Sequence, residues 1–143
     1  MEQLIQQLKV ILGTNFALYF KSHSFHWNIE GSNFPQYHSL FEKVYTDAFE
    51  AVDTIAEEIR ALDSYTPGSL SRYSQLSIID DQINIPNAKS MINELIANNT
   101  SLVLNSPFNG NYTTNSYFLI TPPTTAYQSV SSSTLLTGNV TTS

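Results

Sequence analysis

Two long amphipathic stretches dominate the pattern of apolar and polar positions. In residues 2–29, apolar side chains recur at every third or fourth position, which is the period of one face of an α-helix. A run of helix-breaking residues at 31–35 ends this stretch, and a second stretch with the same period covers residues 35–63. Pro35 fits the first turn of that helix, where its missing N–H loses no hydrogen bond. The pattern therefore predicts two consecutive long helices.

The composition and the helical period of the sequence change within the second half of the chain. After a Ser-rich connection, in which residues 76–79 are predicted to form a short helical turn, a third helix is predicted from near Pro86. Residues 95–143 have no charged side chain, and from Thr100 onward Ser and Thr make up 18 of 44 residues. Short strands are predicted at 117–120 and 134–136. The chain thus divides into a helical domain, residues 1–105, and an uncharged Ser/Thr/Asn-rich tail, residues 106–143.

Composition and charge argue against several classes of protein and of site. The 143 residues have a net charge of −6 and only six Lys and Arg, which are scattered singly, whereas nucleic-acid binding requires clustered cations. DNA binding is therefore not expected. Cysteine is absent, so disulfides and thiolate sites are excluded. No apolar run approaches the ~20 residues of a membrane span, and the first ten residues do not resemble a secretory signal. We expect a cytoplasmic protein without a membrane partner.

Two pairs of potential metal ligands lie in the second predicted helix. His38 with Glu42, and Asp53 with Glu57, are each spaced i and i+4, which places both side chains of a pair on one helical face. A mixed set of imidazole and carboxylate ligands suits iron, manganese or zinc. Such pairs are also common on solvated helix faces. Asp53 is the more informative residue, because it adjoins an apolar stripe where an unpaired carboxylate is costly.

A single copy of this helix cannot place both pairs on one metal ion. Glu42 and Asp53 are 11 residues apart, which is about 16 Å along a helix axis. Either another helix of the same chain completes each pair, or two copies pack antiparallel so that each site takes one pair from each copy. His26, at the end of the first helix, would supply a further nitrogen ligand.

The same residues carry a resemblance to a known family. The segment 21–31, KSHSFHWNIEG, followed by Phe34, His38, Phe41 and Glu42, resembles the Dps family of mini-ferritins, and residues 53–62, DTIAEEIRAL, are similar to the second half of its signature. A looser similarity extends from residue 1 to about residue 105. The resemblance implies an all-α fold, a ferritin-like four-helix bundle, that assembles through two-fold dimers into a hollow dodecamer.

The resemblance also implies a chemistry. Ferroxidase sites would lie at the two-fold interface, with His26, His38 and Glu42 from one subunit and Asp53 and Glu57 from its neighbour. Glu42 stands where most relatives carry Asp. At these sites Fe(II) would be oxidised by hydrogen peroxide, and the ferric product would be stored as a mineral, which protects the cell from oxidative damage. Iron, as Fe2+ and Fe3+, is thus the expected metal.

The tail departs from the family pattern. The family has a charged fourth helix that helps to close the cage, whereas residues from Ser106 onward have neither the charges nor the helical period. Because the length is that of two helices, a replaced or frame-shifted C-terminus is one hypothesis, which resequencing of the gene would test. The alternative function is that of a structural or interaction protein built on a degenerate bundle without ferroxidase activity.

Overall fold

Helices account for most of the part of the chain that the structure describes. The computed structural model describes residues 1–104, 118–119 and 128–129. Its helices are α1 (Glu2–Asn28), α2 (Phe34–Ala61), α3 (Leu70–Leu76) and α4 (Ala88–Leu104). The strands β1 (Phe118–Leu119) and β2 (Gln128–Ser129) pair antiparallel. The all-α class predicted from the sequence is confirmed.

The predicted helices agree with the observed ones in the first half of the chain and less well afterwards. The limits of α1 and α2 lie within two residues of the prediction. The short turn predicted at 76–79 is wrong, because the short helix of this connection, α3, ends at Leu76, where the predicted turn begins. Ser69 caps α3, since its Oγ accepts a hydrogen bond from the Arg72 N–H at 3.3 Å. The strand predicted at 134–136 and the segment from Ser106 onward, for which the sequence predicts no fourth bundle helix, lie largely or wholly outside the described residues.

The core forms mainly between α1 and α2, which pack as an antiparallel hairpin. Asn15 Nδ2 donates a hydrogen bond to the Ala48 carbonyl at 2.7 Å, and farther along the rings of Phe25 and Phe41 lie 6.0 Å apart. Each large apolar side chain buried here contributes about 1.5–3 kcal/mol. The fully buried side chains include Leu12, Leu18, Phe41, Val44, Ala48, Ala51 and Ile59.

One face of α2 is apolar and the opposite face is polar. Val44, Ala48 and Ile55 lie on the buried face, in contact with the core. At 100° per residue the opposite face carries the three acidic residues of the predicted metal site. This amphipathic pattern is that of a helix at the surface of a protein. None of the helices within residues 1–104 is long and apolar enough to cross a membrane.

A buried ion pair connects α4 to α1. Lys21 Nζ lies 2.7 Å from Glu94 Oε1 and donates a hydrogen bond to Asn98 Oδ1 at 2.8 Å. Gln82 Nε2 donates to the other carboxylate oxygen of Glu94 at 2.9 Å. Because the Lys21 side chain is 4 % exposed, its charge requires these partners. The pair therefore specifies how α4 docks on α1.

Candidate metal centre

His26 and His38 face each other across the turn that joins α1 to α2. His26 lies in the last turn of α1 and His38 in the second turn of α2. The intervening turn includes Gly31, whose φ of +113° is a conformation that side-chain-bearing residues rarely adopt. The two imidazole rings stack with centroids 3.6 Å apart and planes inclined by 24°. Both side chains are half-buried. The turn thus brings two nitrogen ligands together.

Reciprocal hydrogen bonds determine which nitrogen of each ring is available. His26 Nδ1 lies 2.9 Å from the His38 carbonyl oxygen, and His38 Nδ1 lies 3.0 Å from the His26 carbonyl oxygen. A carbonyl oxygen only accepts hydrogen bonds, so each Nδ1 carries the proton and donates it. In the neutral ring the lone pair is then on Nε2. This arrangement, with Nδ1–H bound to backbone, is typical of histidines that bind a metal through Nε2.

The three carboxylates predicted as ligands are exposed on the outward face of α2. Glu42 follows His38 by one helical turn and therefore lies on the same face. Asp53 and Glu57 lie farther along the same helix, about 16 Å and about 22 Å from Glu42 at 1.5 Å rise per residue. Within the described residues, no group of three or more His, Asp or Glu side chains is close enough to hold a metal ion. One copy therefore does not bring the five predicted ligands together.

His23 is packed among aromatic rings beside the histidine pair. Its ring stacks on Tyr45 with centroids 3.9 Å apart and lies 4.2 Å from Trp27. Its Nδ1 is buried without a hydrogen-bond partner among the described residues. Burial lowers the pKa of His23, and the nearby His26 lowers it further. The surroundings of His23 thus disfavour its charged form.

Sequence reasoning did not single out Tyr45 as a neighbour of the site. The spacing of Tyr19, His23 and Trp27 by four residues would have shown that they share a face of α1. Tyr45 belongs to α2, so only the packing of the two helices places its ring 5.1 Å from that of His26.

Comparison with known proteins identifies the family. Residues 5–105 match the family model described as a ferritin-like domain. The chain is also 32% identical over 108 residues to the DNA protection during starvation protein of Brevibacillus brevis, an alignment that covers 72% of each protein. The chain belongs to the Dps family of ferritin-like proteins.

Other proteins are similar to this chain in sequence or in structure. Antigen TpF1 of Treponema pallidum is 38% identical over 79 residues, which cover 55% of this chain and 45% of that protein. The crystal structure of a Dps protein from Vibrio cholerae O1, described as a member of a superfamily of ferritin-like diiron-carboxylate proteins, superimposes with a TM-score of 0.70 at 27% identity. That match covers 73% of this chain and 65% of that one. The chain spans about half the length of the first curated relatives that it matches.

Proposed function

We propose that this Dps-family chain is the subunit of an iron-storing mini-ferritin that oxidises Fe(II) with hydrogen peroxide at sites shared between two subunits. The observation that carries the proposal is the pair His26 and His38, whose Nδ1 protons are both held by backbone carbonyls. Both Nε2 atoms are then free to bind a cation. The description of the Vibrio cholerae relative as a diiron-carboxylate protein supports iron as that cation.

The geometry of one copy supports a site that a second copy completes. In the proposed site, one subunit contributes His26 and His38 with Glu42, which follows His38 by one turn of α2, and the other contributes Asp53 and Glu57 from farther along α2. A two-fold axis relating antiparallel α2 helices brings the first group of one subunit against the second group of its partner, and it does so twice. Each dimer then has two mixed histidine and carboxylate sites.

Fe(II) and peroxide are the substrates of the proposed reaction. Two Fe(II) ions supply the two electrons that reduce one hydrogen peroxide to two waters, with two protons taken up. The chain contributes imidazole nitrogens and carboxylates that hold the ions close together, so that both electrons are delivered at once. This two-electron reduction releases no hydroxyl radical. We further propose that residues 1–105 form the ferritin-like domain, that the subunits assemble into a dodecamer and that it works in the cytoplasm.

Single substitutions test whether the proposed ligands are needed for Fe(II) oxidation. We expect His26→Ala and Glu57→Ala each to lower the rate of peroxide-dependent Fe(II) oxidation by about tenfold or more, since even indirect partners of metal ligands cost 10- to 100-fold. Glu58→Ala is the matched control. Glu58 is an exposed neighbour of Glu57, but it does not lie on the face of α2 that carries the three predicted carboxylate ligands. Rates equal to those of the unaltered protein in both site variants would contradict the proposal.

Mixed assemblies test whether the site is shared. Subunits carrying His26→Ala and subunits carrying Glu57→Ala are unfolded together and reassembled. In a shared arrangement, a mixed dimer has one site with both defects and one intact site, so oxidation activity returns in the mixture. If each chain builds its own site, every site keeps one defect and the mixture stays inactive. Return of activity is the expected result.

A further inference from the structure

A continuous series of aromatic rings runs from the candidate metal centre to the surface of α3. We call it the aromatic chain, and it consists of Trp27, His23, Tyr45, Tyr19, Phe16 and Tyr73. Its members come from three helices, so only the folded protein makes it continuous. None of these rings is a ligand in the proposed function, which leaves their close contact unexplained.

The first part of the aromatic chain adjoins the histidine ligands. Trp27 follows His26 directly, and its ring lies 4.2 Å from that of His23. On its other side His23 stacks on Tyr45 at 3.9 Å with an interplanar angle of 18°. The Tyr45 ring in turn lies 5.1 Å from that of His26. One oxidisable indole and one oxidisable phenol are therefore separated by a single imidazole beside the metal centre.

The second part of the aromatic chain leads away from the candidate metal centre. His23 and Tyr19 have ring centroids 5.8 Å apart, Tyr19 and Phe16 5.5 Å, and Phe16 and Tyr73 4.7 Å. Tyr73 belongs to α3 and lines an open cavity with Asp80 and Asp81. Tyr73 is thus the end of the aromatic chain, next to solvent.

We propose that the aromatic chain carries single oxidising equivalents away from the metal centre, from Trp27 through Tyr45 and Tyr19 to Tyr73. Electrons move in the opposite direction, one at a time, between the oxidisable rings of Trp and Tyr. The rings of His23 and Phe16 are difficult to oxidise and are crossed as bridges. The physiological use of the chain rests on the proposed function, because the oxidant arises there.

The oxidant is the hydroxyl radical, formed whenever a site holds only one Fe(II). That ion gives one electron to hydrogen peroxide, which yields Fe(III), hydroxide and a hydroxyl radical. The radical removes one electron and the indole proton from Trp27 and becomes water. A tyrosine then returns an electron and a proton to Trp27 and becomes a neutral tyrosyl radical, which passes along the chain. At Tyr73 an external thiol restores the phenol by giving one hydrogen atom. Oxidation of His26 and His38 is thereby avoided.

Pulse radiolysis of the iron-free protein tests the first step. Azide radicals take an electron from indole and become azide, and Trp27 is the one tryptophan of the chain. We expect the tryptophanyl absorption to decay while the tyrosyl absorption rises, at a rate independent of protein concentration. Tyr19→Phe/Tyr45→Phe should abolish this coupled rise. Tyr37→Phe/Tyr65→Phe is the matched control, because it also removes two phenols, both from residues outside the aromatic chain, and it should leave the rise unchanged.

Mapping of the final radical tests the second step. After azide oxidation in the presence of a nitroso spin trap, mass spectrometry of peptides should find the adduct on Tyr73. In Phe16→Leu the adduct should move back to Tyr19 and Tyr45, because the bridge to Tyr73 is removed. Phe49→Leu is the control, since Phe49 also contacts Tyr19, at 5.1 Å, but leads away from α3.

The outcomes separate this proposal from the proposed function. A tyrosyl rise that persists in Tyr19→Phe/Tyr45→Phe, or an unaltered protein without adduct on Tyr73, overturns the aromatic chain whatever the protein does with iron. Coupled decay and rise in a protein that fails to oxidise Fe(II) supports the chain and contradicts the ferroxidase. Circular dichroism of each variant confirms that the helices are retained.

Discussion

At the scale of single residues, Asp47 lies on the flank of α2 in surroundings that disfavour its charge. Its Oδ2 is buried and has no hydrogen-bond partner among the described residues. Burial raises the pKa of Asp47, the negative charge of Glu50 raises it further, and Lys43 acts in the opposite direction. The folded protein therefore holds a proton on Asp47 more tightly than the unfolded chain does.

Asp47→Asn should make the thermal stability of the protein less sensitive to rising pH. A carboxyl group whose pKa is raised by folding contributes fully to stability below its unfolded pKa, near 3.9, and that contribution is lost as the pH rises through the folded value. The variant should thus melt at a higher temperature than the unaltered protein at pH 7, and the difference should disappear as the pH falls toward 4. Thermal unfolding followed by circular dichroism across this range measures the effect.

The exposed Asp81 supplies the control. Asp81→Asn removes the same charge from the protein as a whole but not from the flank of α2. It should change the melting temperature at pH 7 much less than Asp47→Asn does. Equal shifts in the two variants would assign the effect to net charge rather than to the burial of Asp47.

At the scale of secondary-structure elements, the position of α3 depends on a glycine in α1. A Cβ atom added at Gly13 would lie 2.8 Å from Leu76 Cβ and 3.0 Å from the Tyr73 carbonyl oxygen. Both atoms are attached to the backbone of α3, so neither can rotate away. From the sequence alone, Gly13 is a weakness in the helix. In the structure it is the position that permits α1 and α3 to approach closely.

Gly13→Ala should therefore destabilise the protein although alanine favours helices. The substitution gains about 1 kcal/mol of helix propensity, whereas overpacking costs about 1–3 kcal/mol and displaces α3. The expected net result is a lower midpoint of urea unfolding. Gly68→Ala is the control, because no atom lies within 4 Å of a Cβ added there. A stabilised Gly13→Ala protein would show that α3 does not pack on α1 in this way.

At the scale of the whole molecule, several aromatic side chains of α1 and α2 remain exposed. Trp27 is 58% exposed, Phe49 57% and Phe20 54%. Phe49 lies on the same side of α2 as Glu42 and Tyr45. Exposed apolar groups of this size mark interaction surfaces. In the proposed assembly, a second copy covers this surface and completes the metal site in the same step.

Phe49→Glu should weaken self-association. A carboxylate in an interface must lose its hydration without gaining a partner, and this face of α2 already carries three acidic residues. We expect native mass spectrometry and light scattering to find a smaller species than for the unaltered protein. Phe49→Leu should retain the assembly, because it stays apolar. An unchanged mass for Phe49→Glu, or an unaltered protein that is monomeric, would contradict the shared site.

Prediction from sequence succeeded where local pattern decides the outcome. The limits of α1 and α2 follow from helical period and from breaker residues, both of which act within a few residues along the chain. The position of α3 was missed, because its docking depends on Gly13, which lies far away in the sequence. The roles of the five ligand residues named from the sequence remain predictions: the structure places His26 beside His38, and it does not place Asp53 or Glu57 with them in one copy.

The amino-acid sequence by itself determined the helical class, the amphipathic faces and the residues with the chemistry of a metal site, since these depend on residue type and on spacing along one helix. Only the tertiary structure decided the tautomers of His26 and His38, because each Nδ1 proton is held by a carbonyl of the other helix. It also decided that Tyr45 and Tyr73 pack against the aromatic rings of α1. These two contacts join residues that are distant in the chain, and no local period encodes them.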